Sequence, residues 1–272
     1  MTTFHAFRAS AERAIHNATL QRAVDNATLR FRTHRAEALA ELPNADAMRD
    51  HLKTIRASIL AHLADHLEQF ERSAVAAGAQ VHWAHDAAEA CQIVTQIIHQ
   101  HGATLAVKSK SMATEEIHLN RALRAAGITP VETDLGEWII QLADEPPSHI
   151  VGPALHKTRQ QIAEILSKET GETLDPDDIP GMTALARRVL REKFLAAGVG
   201  ISGANLGVAE TGSIVLVTNE GNGRMVTGAP PVHIAVMGIE KVCPTWDNAA
   251  VSVSLLGRSA TRQPRSIYTN VI

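Results

Sequence analysis

The chain has 272 residues, 45% hydrophobic, 20% charged and only 3% aromatic, which is enough to bury a core built from aliphatic side chains. Its 26 basic and 29 acidic side chains leave a formal net charge of -3, too balanced to point to nucleic acid or an anionic membrane surface as a partner. Two cysteines, Cys91 and Cys243, exclude a disulfide framework and also an iron–sulfur cluster held by this chain alone, which takes about four thiolates. No run reaches the ~18 apolar residues of a membrane span. The start, Met1-Thr-Thr-Phe-His, lacks the regions of a signal peptide, so a cytoplasmic location is expected.

In chain order, residues 1–78 are rich in Ala, Arg, Glu and His and read as an N-terminal helical arm. The stretch Ala9 to Leu42 is helix-prone until Pro43-Asn44 stops it. Met48, Leu52, Ile55, Ile59, Leu63, Leu67 and Phe70 then recur at three- and four-residue steps, one face of a long helix. Residues 79–272 change to short aliphatic runs alternating with amphipathic stretches, the pattern of helices around a mainly parallel sheet. Strands are expected at Val81 to Ala84, Thr104 to Lys108, Ile128 to Thr133 and His149 to Val151, and helices at Ala87 to His101, Ala113 to Ala126 and Lys157 to Lys168. Pro176 and Pro180 bound a loop before a helix at Thr183 to Ala197. Beyond Gly198, glycine-rich loops separate strands at Ile214 to Thr218, Met225 to Thr227 and Val232 to Met237, and Asp247 to Gly257 reads as a last helix.

Three segments carry candidate chemistry, and an anion pocket is expected where Lys108 to Ser111, Asp134 to Glu137 and Gly203 to Ser213 converge. Lys108, Ser109, Lys110 and Ser111 stand where a strand gives way to a helix, a junction that either binds a carboxylate or phosphate or is simply capped by Ser111. Asp134-Leu-Gly-Glu-Trp138 places Asp134 and Glu137 at the start of a short helix, as an N-cap with Trp138 in the core or as the rim of a pocket. The richest segment runs from Gly200 to Ser213, where Gly203, Asn205, Glu210, Thr211, Gly212 and Ser213 put polar groups on a flexible backbone between apolar walls. Within it Glu210 is either a general base or nucleophile, or the turn residue of a hairpin. Asn222-Gly223 is a strong hairpin signal, and Arg224 beyond it faces an anion or solvent. Gly198-Val-Gly-Ile-Ser-Gly203 spells a dinucleotide fingerprint, but a helix precedes it and strands follow, the reverse of what that site needs. The 14 histidines, including His62, His66, His82, His85, His99 and His101, show no HExxH and no third ligand at familiar spacing, so no metal site is expected.

Several of these segments together resemble a known family. Lys108-Ser-Lys-Ser-Met-Ala-Thr-Glu-Glu-Ile, Glu132-Thr-Asp-Leu-Gly-Glu-Trp-Ile-Ile-Gln-Leu, His149-Ile-Val-Gly-Pro-Ala-Leu-His, Gly200 through Arg224, Pro230-Pro-Val-His-Ile-Ala-Val-Met-Gly-Ile-Glu-Lys-Val and Arg258-Ser-Ala-Thr-Arg-Gln-Pro look like the lactate-utilization (LUD) domain of the iron–sulfur proteins of bacterial L-lactate utilization. The resemblance implies an α/β three-layer fold like that of the NagB, ribose-5-phosphate isomerase and CoA-transferase superfamily, with the helical arm added. It implies a part in oxidising L-lactate to pyruvate beside sister subunits A and C, with lactate or pyruvate as the small carboxylate and self-association a further possibility. Those iron–sulfur proteins carry a ferredoxin-like CxxCxxCxxxCP region, whereas this sequence ends at Tyr268-Thr-Asn-Val-Ile272 without one. The expectation is therefore a fragment of a longer protein, in preference to a truncated relative that keeps this domain only, with any [4Fe–4S] clusters in the missing C-terminal region and no cofactor in this chain. By analogy with CoA transferases alone, Glu210 is the candidate nucleophile. The alternatives are a stand-alone acyl- or phosphosugar-handling enzyme that uses Glu210, and a non-catalytic scaffold.

Overall fold

A computed structural model of the chain describes residues 4–148, 152–261 and 268–272. Four helices come first: α1 (Phe4–Ile15), α2 (Ala18–Ala40), α3 (Ala45–Ala61) and α4 (Leu63–Ala76). Asn17 caps α2 by accepting the Leu20 N–H, and the turn at Pro43-Asn44 separates α2 from α3 as expected. The long helix read from Met48 to Phe70 is two helices, broken at His62 (φ -126°, ψ 32°). A straight helix over residues 45–76 would run about 48 Å, far beyond the width of a four-stranded sheet, roughly 15–20 Å. The break keeps Ile55, Ile59, Leu63, Leu67 and Phe70 against one core.

The α/β part follows: α5 (Ala87–Gln100), β1 (Leu105–Lys108), α6 (Met112–Glu116), α7 (Leu119–Ala125), β2 (Thr129–Glu132), α8 (Leu135–Leu142), α9 (Arg159–Thr170), α10 (Ile179–Ala196), β3 (Val199–Gly203), β4 (Leu206–Val208), β5 (Ser213–Thr218), α11 (Asn222–Gly228), β6 (Val232–Val236), a 3-10 turn at Ile239–Lys241, β7 (Val242–Cys243), α12 (Trp246–Thr261) and β8 (Tyr268–Val271). One sheet has the order β2-β1-β3-β6 and is parallel throughout. The other has the order β7-β4-β5-β8 and is mixed.

The parallel sheet is the middle of a three-layer α/β sandwich, and strand alternation assigns its faces. Ala106, Val199 and Ile201 face α5 and α7 together with Cys91, Val94, Ile98, Leu119 and Leu123. Val107 and Val131 face the other way, toward Trp138, Leu166, Leu185, Leu190, Phe194 and Val226 from α8 to α11. The second sheet packs on α3, α4 and α12, with Ile59, Phe70 and Ala74 buried against Val208, Val215 and Cys243. That core runs across residue 78, so the later helices of the arm are built into the fold. Among the described residues, no helix is long and apolar enough to cross a membrane.

Several local expectations change. Residues 81–84 form no strand, and Val81 instead packs on the core of the second sheet. Ala113 to Ala126 is two helices, because His118 adopts a left-handed conformation (φ 54°) that frees α7 to bury Leu119 and Leu123. α10 begins at Ile179 with Asp178 as its cap, so Pro180 lies in the first turn, where its missing N–H costs nothing. Met225 to Thr227 is part of α11, and Asn222-Gly223 opens that helix instead of a hairpin. The strand expected at His149 to Val151 lies outside the described residues.

The two thiols sit in different cores, Cys91 on α5 and Cys243 on β7, and both are buried. Burial raises both thiols, Cys243 to about 11. Since the thiolate is the reactive form, native protein at pH 8 is expected to resist alkylation at both positions and to react fully once unfolded. Mass spectrometry reads the two states, and rapid native labelling of Cys243 would contradict this packing.

Candidate functional site

In a parallel sheet all strands end on one side. From β1 the chain moves first to β2 on one flank and later to β3 on the other, so the topological switch point, where open α/β sheets place a ligand crevice, falls between the carboxyl ends of β1 and β3. Lys108 and Glu132 are register partners there, and Gly203 ends β3. A Cβ on Gly203 would fall 2.6 Å from the Ser111 hydroxyl oxygen, so glycine lets these two loops meet. Lys108 to Ser111 and Gly203 are thus brought together as the sequence suggested.

Alternation turns Lys108 and Glu132 to the face opposite Val107 and Val131, toward α6 and α7. Lys108 is fully buried. Its Nζ donates to Glu132 Oε1 at 2.6 Å and lies 3.7 Å from Glu115 Oε1. Asn120 Nδ2 donates to the same Glu132 oxygen at 2.7 Å. Glu137 on α8 joins this group, and its carboxyl is pushed up to about 7, by burial first and then by Glu132, Glu115 and Asp134. One ammonium therefore bonds Glu132, lies near Glu115 and only weakly offsets the charge on Glu137. Glu115, Glu132 and Asn120 were not singled out from sequence as site residues, although Glu115 and Glu132 stand in the quoted motifs. The available signal was register: two charged residues ending adjacent parallel strands must face each other.

Toward the rim, Lys110 Nζ bonds Asp134 Oδ2 at 3.1 Å, while Asp134 Oδ1 accepts the Glu137 N–H and caps α8. Trp138 is in the core, as the capping alternative had it. Ser111 caps α6 through the Thr114 N–H. With its start closed by its own cap and only five residues in length, α6 offers an anion little, and charge there comes from Lys110. Ser109 Oγ is buried and meets no partner among the described residues. Thr133 Oγ1 donates to the Lys108 carbonyl at 2.6 Å and accepts from Asn222 Nδ2 at 3.3 Å, which ties the start of α11 to the crevice. Glu220 faces the same region, its carboxyl raised by burial and by Asp134. Pro153 packs on Gly136 beside Asp134, so the segment after α8 folds back to the rim. There His156 bonds Glu145 at 2.9 Å and Ser148 at 2.8 Å. Hydrogen bonds from Lys157 and His156 hold the Glu145 carboxyl below its usual range.

The remainder of the glycine segment does not converge here. Asn205, two residues past Gly203, spends its Oδ1 on the Val217 N–H inside the second sheet. β5 carries the chain about 17 Å from Thr218 to Ser213, and it meets α11 at Gly223 through Leu216 and Thr218. Glu210, Thr211, Gly212 and Ser213 lie at the far hairpin turn. Gly212 (φ 71°) presses on the α4 backbone at Ala74 there, and Thr211 Oγ1 accepts the Ser213 N–H. Glu210 Oε1 accepts the Trp246 N–H at 2.6 Å and fixes the start of α12. Arg224 lies exposed on α11. The expected three-way convergence fails because a strand separates Asn205 from Glu210.

The LUD domain family matches residues 67–272. The chain is 43% identical over 263 residues to lactate utilization protein B of Shouchella clausii, covering 96% of this chain and 55% of that protein. It is 43% identical over 270 residues to lactate utilization protein B of Bacillus velezensis and 44% identical over 270 residues to that of Bacillus pumilus, in each case covering 98% of this chain and 56% of the other. The chain thus spans about half the length of the curated relatives it matches. No solved structure matches it.

Proposed function

The chain belongs to the LUD domain family, and from that premise we propose that it serves lactate utilization as one part of a larger protein. In this reading the crevice at the ends of β1 and β3 receives a small carboxylate such as lactate or pyruvate. The observation that carries the reading is identity above 40% across nearly the whole chain with proteins named lactate utilization protein B. Lys110 supplies the positive charge, and Ser109 Oγ supplies a buried hydroxyl with no partner among the described residues, the kind of group a ligand satisfies.

Electron transfer falls to other parts of the assembly. An iron–sulfur cluster needs about four thiolates, and the two here are buried in separate cores. Clusters beyond these 272 residues and sister subunits A and C as partners complete the proposal, which sets the chain in a cytoplasmic L-lactate-oxidising complex. Glu210 has a structural task at α12 and is left out of the substrate site.

Calorimetric titration with L-lactate and pyruvate tests the pocket. Binding is expected to weaken at least ~10-fold in Lys110→Ala, the loss of one charge-assisted contact, and to stay unchanged in Glu210→Ala. Equal loss in both variants, or no binding by the unaltered chain, would remove the substrate pocket and leave family membership standing.

A further inference from the structure

We infer that Glu115, Glu132 and Glu137 bind a divalent cation of the Mg2+ or Mn2+ type at the carboxyl end of the parallel sheet, beside Lys108, which keeps its bond to Glu132 Oε1. One oxygen of each carboxylate lies within 4.8 Å of the others. Two oxygens on one such ion, each at about 2.0–2.4 Å, are at most about 4–5 Å apart. The three residues come from α6, β2 and α8, so the fold itself assembles the group.

Acidic clusters are common without an ion, and a separate observation points to a ligand here. Glu132 Oε1 is doubly served, by Lys108 and Asn120, whereas Glu132 Oε2 is shielded from solvent and meets no donor among the described residues. A buried carboxylate oxygen without a partner is costly. A cation on the Oε2 side removes that cost and leaves the Lys108 bond on Oε1 in place. In the ion-bound state, with all three carboxylates ionised, their charge and that of the Lys108 ammonium sum to the charge that a divalent ion cancels. The donor set selects the metal: oxygen alone, without His or Cys, suits hard Mg2+ or Mn2+ better than zinc. Glu115, the most exposed of the three, gives the ion its way in.

Three protein oxygens leave about three of six octahedral positions open. A 2-hydroxy carboxylate fills two of them by chelation through one carboxylate oxygen and its hydroxyl, and this step alone rests on the proposed function.

The test is titration of the full chain with Mn2+, followed by electron paramagnetic resonance. One ion per chain is expected, displaced by Mg2+, with a rise in melting temperature. Glu115→Gln sits at the partly exposed position, so it should fold, and is expected to bind Mn2+ at least ~10-fold more weakly; Glu132→Gln should lose binding further. No saturable binding, or affinity unchanged in Glu115→Gln, would overturn the site. So would infrared detection of a carboxyl proton shared by Glu132 and Glu137 that saturating Mn2+ leaves in place. Mn2+ binding whose spectrum L-lactate does not alter would uphold the metal site and count against the substrate reading.

Discussion

Replacing Gly200 with alanine is expected to destabilise the protein by about 3 kcal/mol, the upper part of the usual range for overpacking a core. An added Cβ would lie 1.9 Å from the Val226 carbonyl oxygen and 2.9 Å from its carbon. Those are backbone atoms of α11, so no side chain can swing away, and the helix must lift off the sheet. Lifting it exposes Val226, fully buried in the core, and pulls Asn222 from Thr133 at the crevice. Gly221→Ala is the control, since nothing lies within 4 Å of its added Cβ, and it should stay within about 0.5 kcal/mol of the parent. Urea midpoints at constant slope give both values. A Gly200→Ala midpoint matching the control would mean that α11 does not cross β3 so closely.

The same contacts explain why Gly198, Gly200 and Gly203 mimic a dinucleotide fingerprint. An added Cβ would strike Ala103 at position 198, α11 at 200 and Ser111 at 203. Glycine density here hid a central strand, because close backbone approach and loop flexibility use the same residue. Elements with aliphatic periodicity were legible: α5, β1, β2, β5, β6 and α12 fall where the pattern put them. β4 and β7, of three and two residues, are too short to leave a period, and β8, Tyr268-Thr-Asn-Val271, carries no aliphatic run. Breaks at His62 and His118 were illegible for another reason. They answer to the width of a sheet and the depth of a core, which single residues do not encode. At the site, Lys108, Asp134 and Glu137 could be picked out as polar groups at strand ends. Glu210 was misplaced because sequence proximity to Gly203 does not show that a strand carries it away.

Loss of Lys108 is expected to have the largest effect in the molecule. In Lys108→Met a side chain of similar length remains, but the ammonium that serves Glu132 and approaches Glu115 is gone. Removing one partner of a buried pair costs about 3–5 kcal/mol, because the other charge stays behind uncompensated. The environment here offers no relief: Glu132 is almost inaccessible and Glu137 adds a further carboxyl. The expected loss is therefore near the top of that range, enough to unfold a marginally stable domain at 37 °C. Adding Glu132→Gln to Lys108→Met should recover part of it, because a neutral amide takes the place of the stranded carboxylate and keeps its acceptor oxygen for Asn120. The coupling between the two positions is expected at about 1–3 kcal/mol, typical of contacting residues. Equal melting temperatures for Lys108→Met and the parent would place Lys108 in solvent, and additive losses in the double variant would separate it from Glu132. Recovery in the double variant would show that what the fold requires at the carboxyl end of β1 is neutralisation of Glu132.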